Sequence, residues 1–158
     1  MTAYPPALPT PLYQGSVNTW ECDEGGHLNV RFHTERAMIG LAHFAHALEM
    51  PRAFAKTGGA TLTPLDMHIR FLKEARPGAP LSMHGAVISF GEGQATLCLD
   101  MRHGDGAPAS VFTIRVAHTD TQGFRAFPWS TRTKAPRSRP TIPRTALKTA
   151  TPSTRDAS

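Results

Sequence analysis

Trp20-Glu21-Cys22-Asp23-Glu24-Gly25-Gly26-His27-Leu28-Asn29-Val30 joins the end of a strand to the start of a helix through a glycine-hinged turn. Gly25-Gly26 interrupts the extended run, and Asn29 has the side chain that caps a helix N-terminus. From Val30 onward Thr34 (weakly), Ala37, Met38, Leu41, Ala42, Phe44, Ala45 and Leu48 recur at helical spacing, and Pro51 ends the helix. Ala37, Gly40, Ala42, Ala45 and Ala47 are small enough to let a sheet approach the helix closely. Asp23 lies just before that helix start, where unpaired N–H groups and a partial positive charge collect. A carboxylate beside such a terminus suits chemistry on a carbonyl group.

Downstream the apolar period changes to two. Leu65, Met67, Ile69 and Phe71 alternate with Asp66, His68 and Arg70; Leu97, Leu99 and Met101 with Thr96, Asp100 and Arg102; Phe112, Ile114 and Val116 with Thr113 and Arg115. Leu81–Phe90 is apolar on both sides, which predicts a central strand. Turns fall at Pro77-Gly78, Gly91-Glu92-Gly93 and Gly104-Asp105-Gly106, and links this short join antiparallel neighbours. Tyr13–Cys22 reads as one further strand before the helix. One strand, a long helix and four strands predict an α+β domain, an antiparallel sheet wrapped round the helix. No strand–helix alternation and no phosphate-binding glycine loop support a dinucleotide fold.

A chain of 158 residues with 40% hydrophobic content holds one domain with a sizeable core. No apolar run approaches the ~20 residues of a membrane helix, so no membrane association is expected. Met1–Leu12 carries four prolines and no cationic residue, unlike a secretory signal, and is read as an N-terminal extension. Two cysteines suit a reduced, cytoplasmic setting. Charge is unevenly spread. From residue 125 onward eight cationic side chains face Asp156 alone, leaving +7 there and −2 over residues 1–124. The expected division is therefore 1–12 extension, 13–127 folded domain, and 128–158 a basic Pro/Ser/Thr-rich tail without apolar periodicity, expected to be disordered.

Asp23, Gly26-His27-Leu28-Asn29 and the following helix resemble the D-x-x-G-H-x-N signature of hotdog-fold acyl-CoA thioesterases of the 4-hydroxybenzoyl-CoA thioesterase type. Met67–Glu74, closed by Arg76-Pro77-Gly78, resembles the first long strand after the helix in that family. The likeness spans residues 12–122. Its short core recurs by chance, but its place before a long helix and four strands does not. Family members commonly carry a second Asn at the position of Val30 and often a Tyr at that of His33.

The resemblance implies a hotdog fold and hydrolysis of an acyl-CoA, or acyl-carrier-protein, thioester with no cofactor. It gives Asp23 the role of nucleophile or general base, and the backbone N–H of Val30 that of polarising the thioester carbonyl. His27 and Asn29 become candidate substrate contacts, although His27 also suits the turn and Asn29 the cap. Glu35, one turn into the helix, is the alternative catalytic carboxylate, because another hotdog branch carries its acid there. Glu21 precedes Asp23 by two residues; on an extended strand both carboxylates face one way and repulsion raises one pKa, whereas on a twisted strand Glu21 is solvated.

His43 and His46 share a helix face, but zinc takes three or four ligands and none cluster with them. No metal is expected. The family places its site between subunits, and an open sheet edge is usually paired, so a homodimer or tetramer is expected. The competing reading is a non-catalytic hotdog module that binds acyl-CoA or a partner. A hydratase of the same fold is disfavoured, since its paired Asp and His are only loosely mimicked by Asp23 and His27. The tail's charge suggests contact with an anionic surface, yet only Trp129 interleaves an aromatic ring with it, so nucleic acid is not expected as a partner.

Overall fold

The computed structural model describes residues 8, 10–48, 50 and 60–120; Pro51, the glycine pair 58–59 and the basic tail lie outside the described residues. The chain runs β1 (Tyr13–Ser16), a 3-10 turn (Thr19–Glu21), α1 (Val30–Ala47), β2 (Ala60–Phe71), β3 (Pro80–Phe90), β4 (Gln94–His103) and β5 (Pro108–Asp120). The strands form one sheet in the order β1-β3-β4-β5-β2, every neighbouring pair antiparallel. One long helix packed against this curled sheet is the hotdog fold.

The helix forms where the apolar spacing places it. Asn29 caps it, its side-chain oxygen accepting the Arg31 N–H at 2.9 Å. His33, Arg36, Ala37, Gly40, Leu41, Phe44 and Ala45 form the buried face. Met38 and Ile39 fall on the outer face and stay exposed. Glycine lets helix and sheet meet at two points. A Cβ on Gly40 would stand 2.6 Å from Met83 Sδ, and one on Gly85 would stand 2.5 Å from Leu12 Cδ1 and 2.6 Å from Phe44 Cε2. Between these points Phe44, Leu97, Leu99, Phe112 and Ile114 fill the core.

The links between strands carry the turn chemistry read from sequence. Gly78, Gly93 and Gly106 take φ values of 84°, 65° and 84°, the left-handed conformation that side chains disfavour. Leu8 and Leu12 are buried, their N–H groups donating to Gly85 O at 2.8 Å and Met83 O at 2.7 Å, so residues before 13 also contribute to the core.

Two strand expectations are corrected. The first strand stops at Ser16 instead of reaching Cys22: Asn18 turns the chain, its carbonyl accepting the Glu21 N–H at 3.1 Å, and its own N–H donating to Glu21 Oε2 at 2.7 Å. Strand β3 is interior but not central. It pairs with β1 only over Pro80–Met83, Ile88 is exposed, and β4 holds the middle of the sheet. At the other margin lies the twelve-residue β2, bonded to β5 on one side, with a register shift between Pro64 and Asp66. A proline and a bulge are devices that blunt an edge strand. Leu65 and Phe71 remain exposed along it.

Candidate active site

The loop ahead of α1 is a closed turn. Cys22 and Leu28 meet in a single bridge, the Asp23 N–H donates to His27 O at 3.0 Å, and the Gly26 N–H donates to Asp23 O at 2.9 Å. Gly26 adopts φ 74° to make this possible. One carboxylate oxygen of Asp23, Oδ1, accepts the N–H of Gly25 at 3.0 Å and of His27 at 3.4 Å. A Cβ on Gly25 would stand 3.2 Å from Asp23 Oδ1 and 3.3 Å from His27 Nδ1, so both polar atoms flank the same glycine. The backbone thus holds the carboxylate by one oxygen.

What fixes the loop against the helix is an ion pair that the sequence reading did not find. Glu21 does not project beside Asp23. It is buried, and its Oε2 accepts from Arg36 at 2.8 Å, with side-chain exposures of 11% and 4% for the two partners. Arg36 also donates to Tyr13 Oη at 3.1 Å, Ser16 O at 3.0 Å and Phe32 O at 3.2 Å. Burial pushes the Glu21 pKa up, but the bonds from Arg36 and from Asn18 outweigh it and leave the group below its ordinary value. Neither expectation for Glu21, repulsion beside Asp23 or a solvated side chain, describes it. Arg36 is held above its own ordinary value, burial opposing and Glu21 and Tyr13 prevailing. The Glu21 carbonyl in turn accepts the Asn29 N–H at 2.9 Å, which ties the pair to the helix cap. The available signal was Arg36 itself: it falls on the helix stripe of Ala37, Gly40 and Phe44, and a cation there demands a buried counter-charge.

A cleft of about 280 Å³ opens beside the turn, lined by Asp23, His27, Leu28, His33 and the segment Phe71–Ala75. His27 bridges its two walls. Its Nε2 stands 2.8 Å from Glu74 Oε2, and Arg76 Nη2 approaches the same nitrogen at 3.2 Å and the carboxylate at 3.5 Å. One nitrogen cannot donate to Glu74 and accept from Arg76 together, so the shorter contact defines Nε2 as the donor to Glu74. The Leu28 N–H, donating to Ala75 O at 2.8 Å, stitches the same two segments through the backbone.

His33 is deeper in the cleft. Its Nδ1 lies 3.2 Å from the hydroxyl of Ser110 on β5, and its ring meets Phe71 edge-on with centroids 5.0 Å apart. Burial first, and the Arg36 charge second, hold its pKa down to about 4. Sequence reading noted His33 only as a departure from the resembled pattern. The signal that finds it is helical spacing, which puts position 33 on the buried stripe with 37, 40 and 44.

Of the expected site residues, the structure brings Asp23 and His27 into the cleft. Asn29 acts as the cap. Val30 is the first helical residue, and its N–H has no hydrogen-bond partner among the described residues, although Val30 does not line the cleft. Glu35 is exposed on α1 and also lies outside the lining. Arg36 bonds Glu21. His43 and His46 are exposed, and among the described residues no three His, Cys, Asp or Glu side chains come together to hold a metal ion. No described helix is long and apolar enough to cross a membrane.

The sequence profile of the thioesterase-like superfamily matches residues 17–141, which carries the match past residue 127. Among solved structures, a putative thioesterase from Pseudomonas putida superposes with a TM-score of 0.67 at 18% identity, covering 79% of this chain and 80% of the other. A thioesterase-superfamily protein from a Jannaschia species gives 0.68 at 20% identity, with 76% of each chain covered. A Staphylococcus aureus protein solved in complex with CoA gives 0.71 at 13% identity, covering 91% and 94%. At these identities the superpositions speak for the fold. No curated protein matches the sequence.

Proposed function

This chain belongs to the thioesterase-like superfamily and is a thioester hydrolase, and on that premise we propose that it hydrolyses an acyl-CoA to the free acid and CoA with Asp23 as nucleophile or general base. The observation that carries the reading is the hold on Asp23. Its Oδ1 is engaged by two backbone N–H groups of a rigid turn in the wall of the cleft. A carboxylate so oriented attacks a thioester carbonyl, or takes a proton from a water that does, without first surrendering conformational freedom.

The N–H of Val30, at the positive end of α1, polarises the carbonyl; a preorganised backbone donor is worth roughly 2.7–4 kcal/mol to the barrier. His27, held by Glu74, fixes the turn from the side. The tie from Glu21 to Arg36 keeps the turn in place relative to the helix start. CoA is favoured over a carrier protein as the thiol because the Staphylococcus aureus relative was solved with it. The protein works as a homodimer or tetramer, because β2 presents a long margin with Leu65 and Phe71 exposed. It works in the cytoplasm, where its free cysteines Cys22 and Cys98 stay reduced. The domain spans residues 13–127 with its core extended by Leu8 and Leu12, and the basic segment after it takes no part in turnover.

A second reading has its own support. An Asp that accepts N–H groups two and four residues ahead also suits a purely structural turn, as in a non-catalytic acyl-CoA-binding module. Release of free thiol from a panel of acyl-CoAs separates the two. Hydrolysis by the wild type, reduced by about two to four orders of magnitude in Asp23→Asn with the fold intact, is the expected result. Activity retained in Asp23→Asn removes it from the mechanism; loss in Glu35→Gln instead transfers the role to the exposed helix carboxylate.

A further inference from the structure

His33 is the one buried titratable side chain of the cleft lining, and the reaction described above gives it no task. It is 4% exposed and sits on the helix face that otherwise packs Ala37, Gly40 and Phe44 into the core. A histidine at such a place must satisfy two ring nitrogens. Nδ1 does so with the Ser110 hydroxyl at 3.2 Å. Ser110 is itself fully buried, and its side chain makes no other hydrogen bond among the described residues. A buried hydroxyl has one proton to give, and leaving it without an acceptor costs roughly 1–3 kcal/mol. The economical arrangement has Ser110 donate to Nδ1. A neutral imidazole accepting at Nδ1 carries its proton on Nε2.

That second nitrogen has no protein partner among the described residues, and the ring lines the cleft that holds Asp23. Phe71, edge-on to the ring, restricts its rotation. The Nε2–H is thus a fixed, unused donor in an otherwise apolar stretch of wall formed with Phe71 and Leu72.

We infer that His33 is a substrate-contacting catalytic residue: its neutral imidazole donates the Nε2–H to the acyl carbonyl oxygen from the cleft wall, and Ser110 is the positioning residue that sets this tautomer. The inference rests on the thioesterase reading and adds to it the group that meets the oxyanion. Burial and the neighbouring Arg36 charge keep the ring neutral, so it acts through a hydrogen bond and transfers no proton. The electron pair that moves onto the carbonyl oxygen during attack is received by hydrogen bonds alone.

The test uses the full chain labelled with 15N-histidine, and an acyl-CoA analogue in which a methylene replaces the thioester sulfur while the ketone oxygen remains. The expected spectrum of the free protein assigns His33 the Nε2–H tautomer. The analogue should move the Nε2 signal, and Ser110→Ala should shift the tautomer toward Nδ1–H. In turnover, His33→Phe should lower kcat about 100-fold, with His33→Gln, which keeps an N–H donor, recovering part of the loss. Melting curves check that each variant is folded. An Nδ1–H tautomer in the wild type, an Nε2 signal unmoved by a bound analogue, or a folded His33→Phe variant with normal kcat overturns the assignment while leaving hydrolysis by Asp23 standing. A wild type that hydrolyses no acyl-CoA overturns the thioesterase reading instead, and the Nε2 shift on binding the ketone still decides whether His33 meets the carbonyl.

Discussion

Replacing Arg36 by Met preserves much of the side-chain volume and removes its charge from beneath the candidate site. In the wild type the Arg36–Glu21 pair is 2.8 Å apart, with 4% and 11% of the side chains exposed, and the guanidinium makes three further hydrogen bonds to Tyr13, Ser16 and Phe32. Stripping one partner leaves the Glu21 carboxylate buried with only the Asn18 N–H at 2.7 Å. Breaking a buried pair from one side costs about 3–5 kcal/mol, a large share of the roughly 5–15 kcal/mol that stabilises a domain. At about 2–4 °C per kcal/mol for a chain of this size, Tm should fall by some 6–20 °C.

The loss should also depend on pH with a known sign. Glu21 is held below its ordinary value of 4.5 in the native state, so its contribution is present above pH 4.5 and disappears as pH falls through the folded value. In Arg36→Met burial, the largest influence, is opposed only by the bonds from Asn18, and that pKa rises. The variant should therefore lie closest to the wild type in acid and furthest from it near neutrality. The double variant Glu21→Gln/Arg36→Met should recover most of the stability, because no unpaired charge remains. Urea unfolding at pH 4 and pH 7 measures all of this. A single-variant cost below about 1 kcal/mol, in the range of exposed pairs, and independent of pH would refute the claim that the pair is desolvated and holds the loop. The site should feel the change as well. The Glu21 carbonyl bonds the N–H of the cap residue Asn29, so kcat should fall although neither residue lines the cleft.

Other outcomes follow from the same geometry. His33, depressed from 6.5 to about 4, binds its proton more tightly when unfolded, so its contribution is complete above pH 6.5 and lost as pH falls toward 4; the span corresponds to roughly 3 kcal/mol. His33→Gln should flatten the stability profile between those pH values, and an unchanged slope would show that the ring is not desolvated. Sedimentation at micromolar concentration should give a dimer or tetramer, and an active monomer would contradict a site shared between subunits. Asp66→Lys on β2 adds a cation beside Arg115, which it pairs with at 2.7 Å, and should weaken the assembly if that strand is the contact.

Local chemistry made much of this protein legible before folding. The helix from Val30, its Asn29 cap, the turns at Gly78, Gly93 and Gly106, and the three strands of period two all depend on neighbours within a few residues. So did the Asp23 turn, since a carboxylate, two glycines and a histidine in five positions can bond only a few ways. Contacts between distant segments were another matter. That Glu21 turns inward instead of standing beside Asp23 depends on its finding Arg36, fifteen residues later. That β4 and not β3 holds the middle of the sheet depends on β2 pairing with the distant β5. His33 joins the cleft because β5 brings Ser110 beneath it, seventy-seven residues later. The amino-acid sequence by itself determined the elements and the turn that orients Asp23, because short-range hydrogen bonds and steric limits set them. Only the tertiary structure decided which buried polar groups meet, because in a core closed to water each must find its partner wherever the chain delivers one.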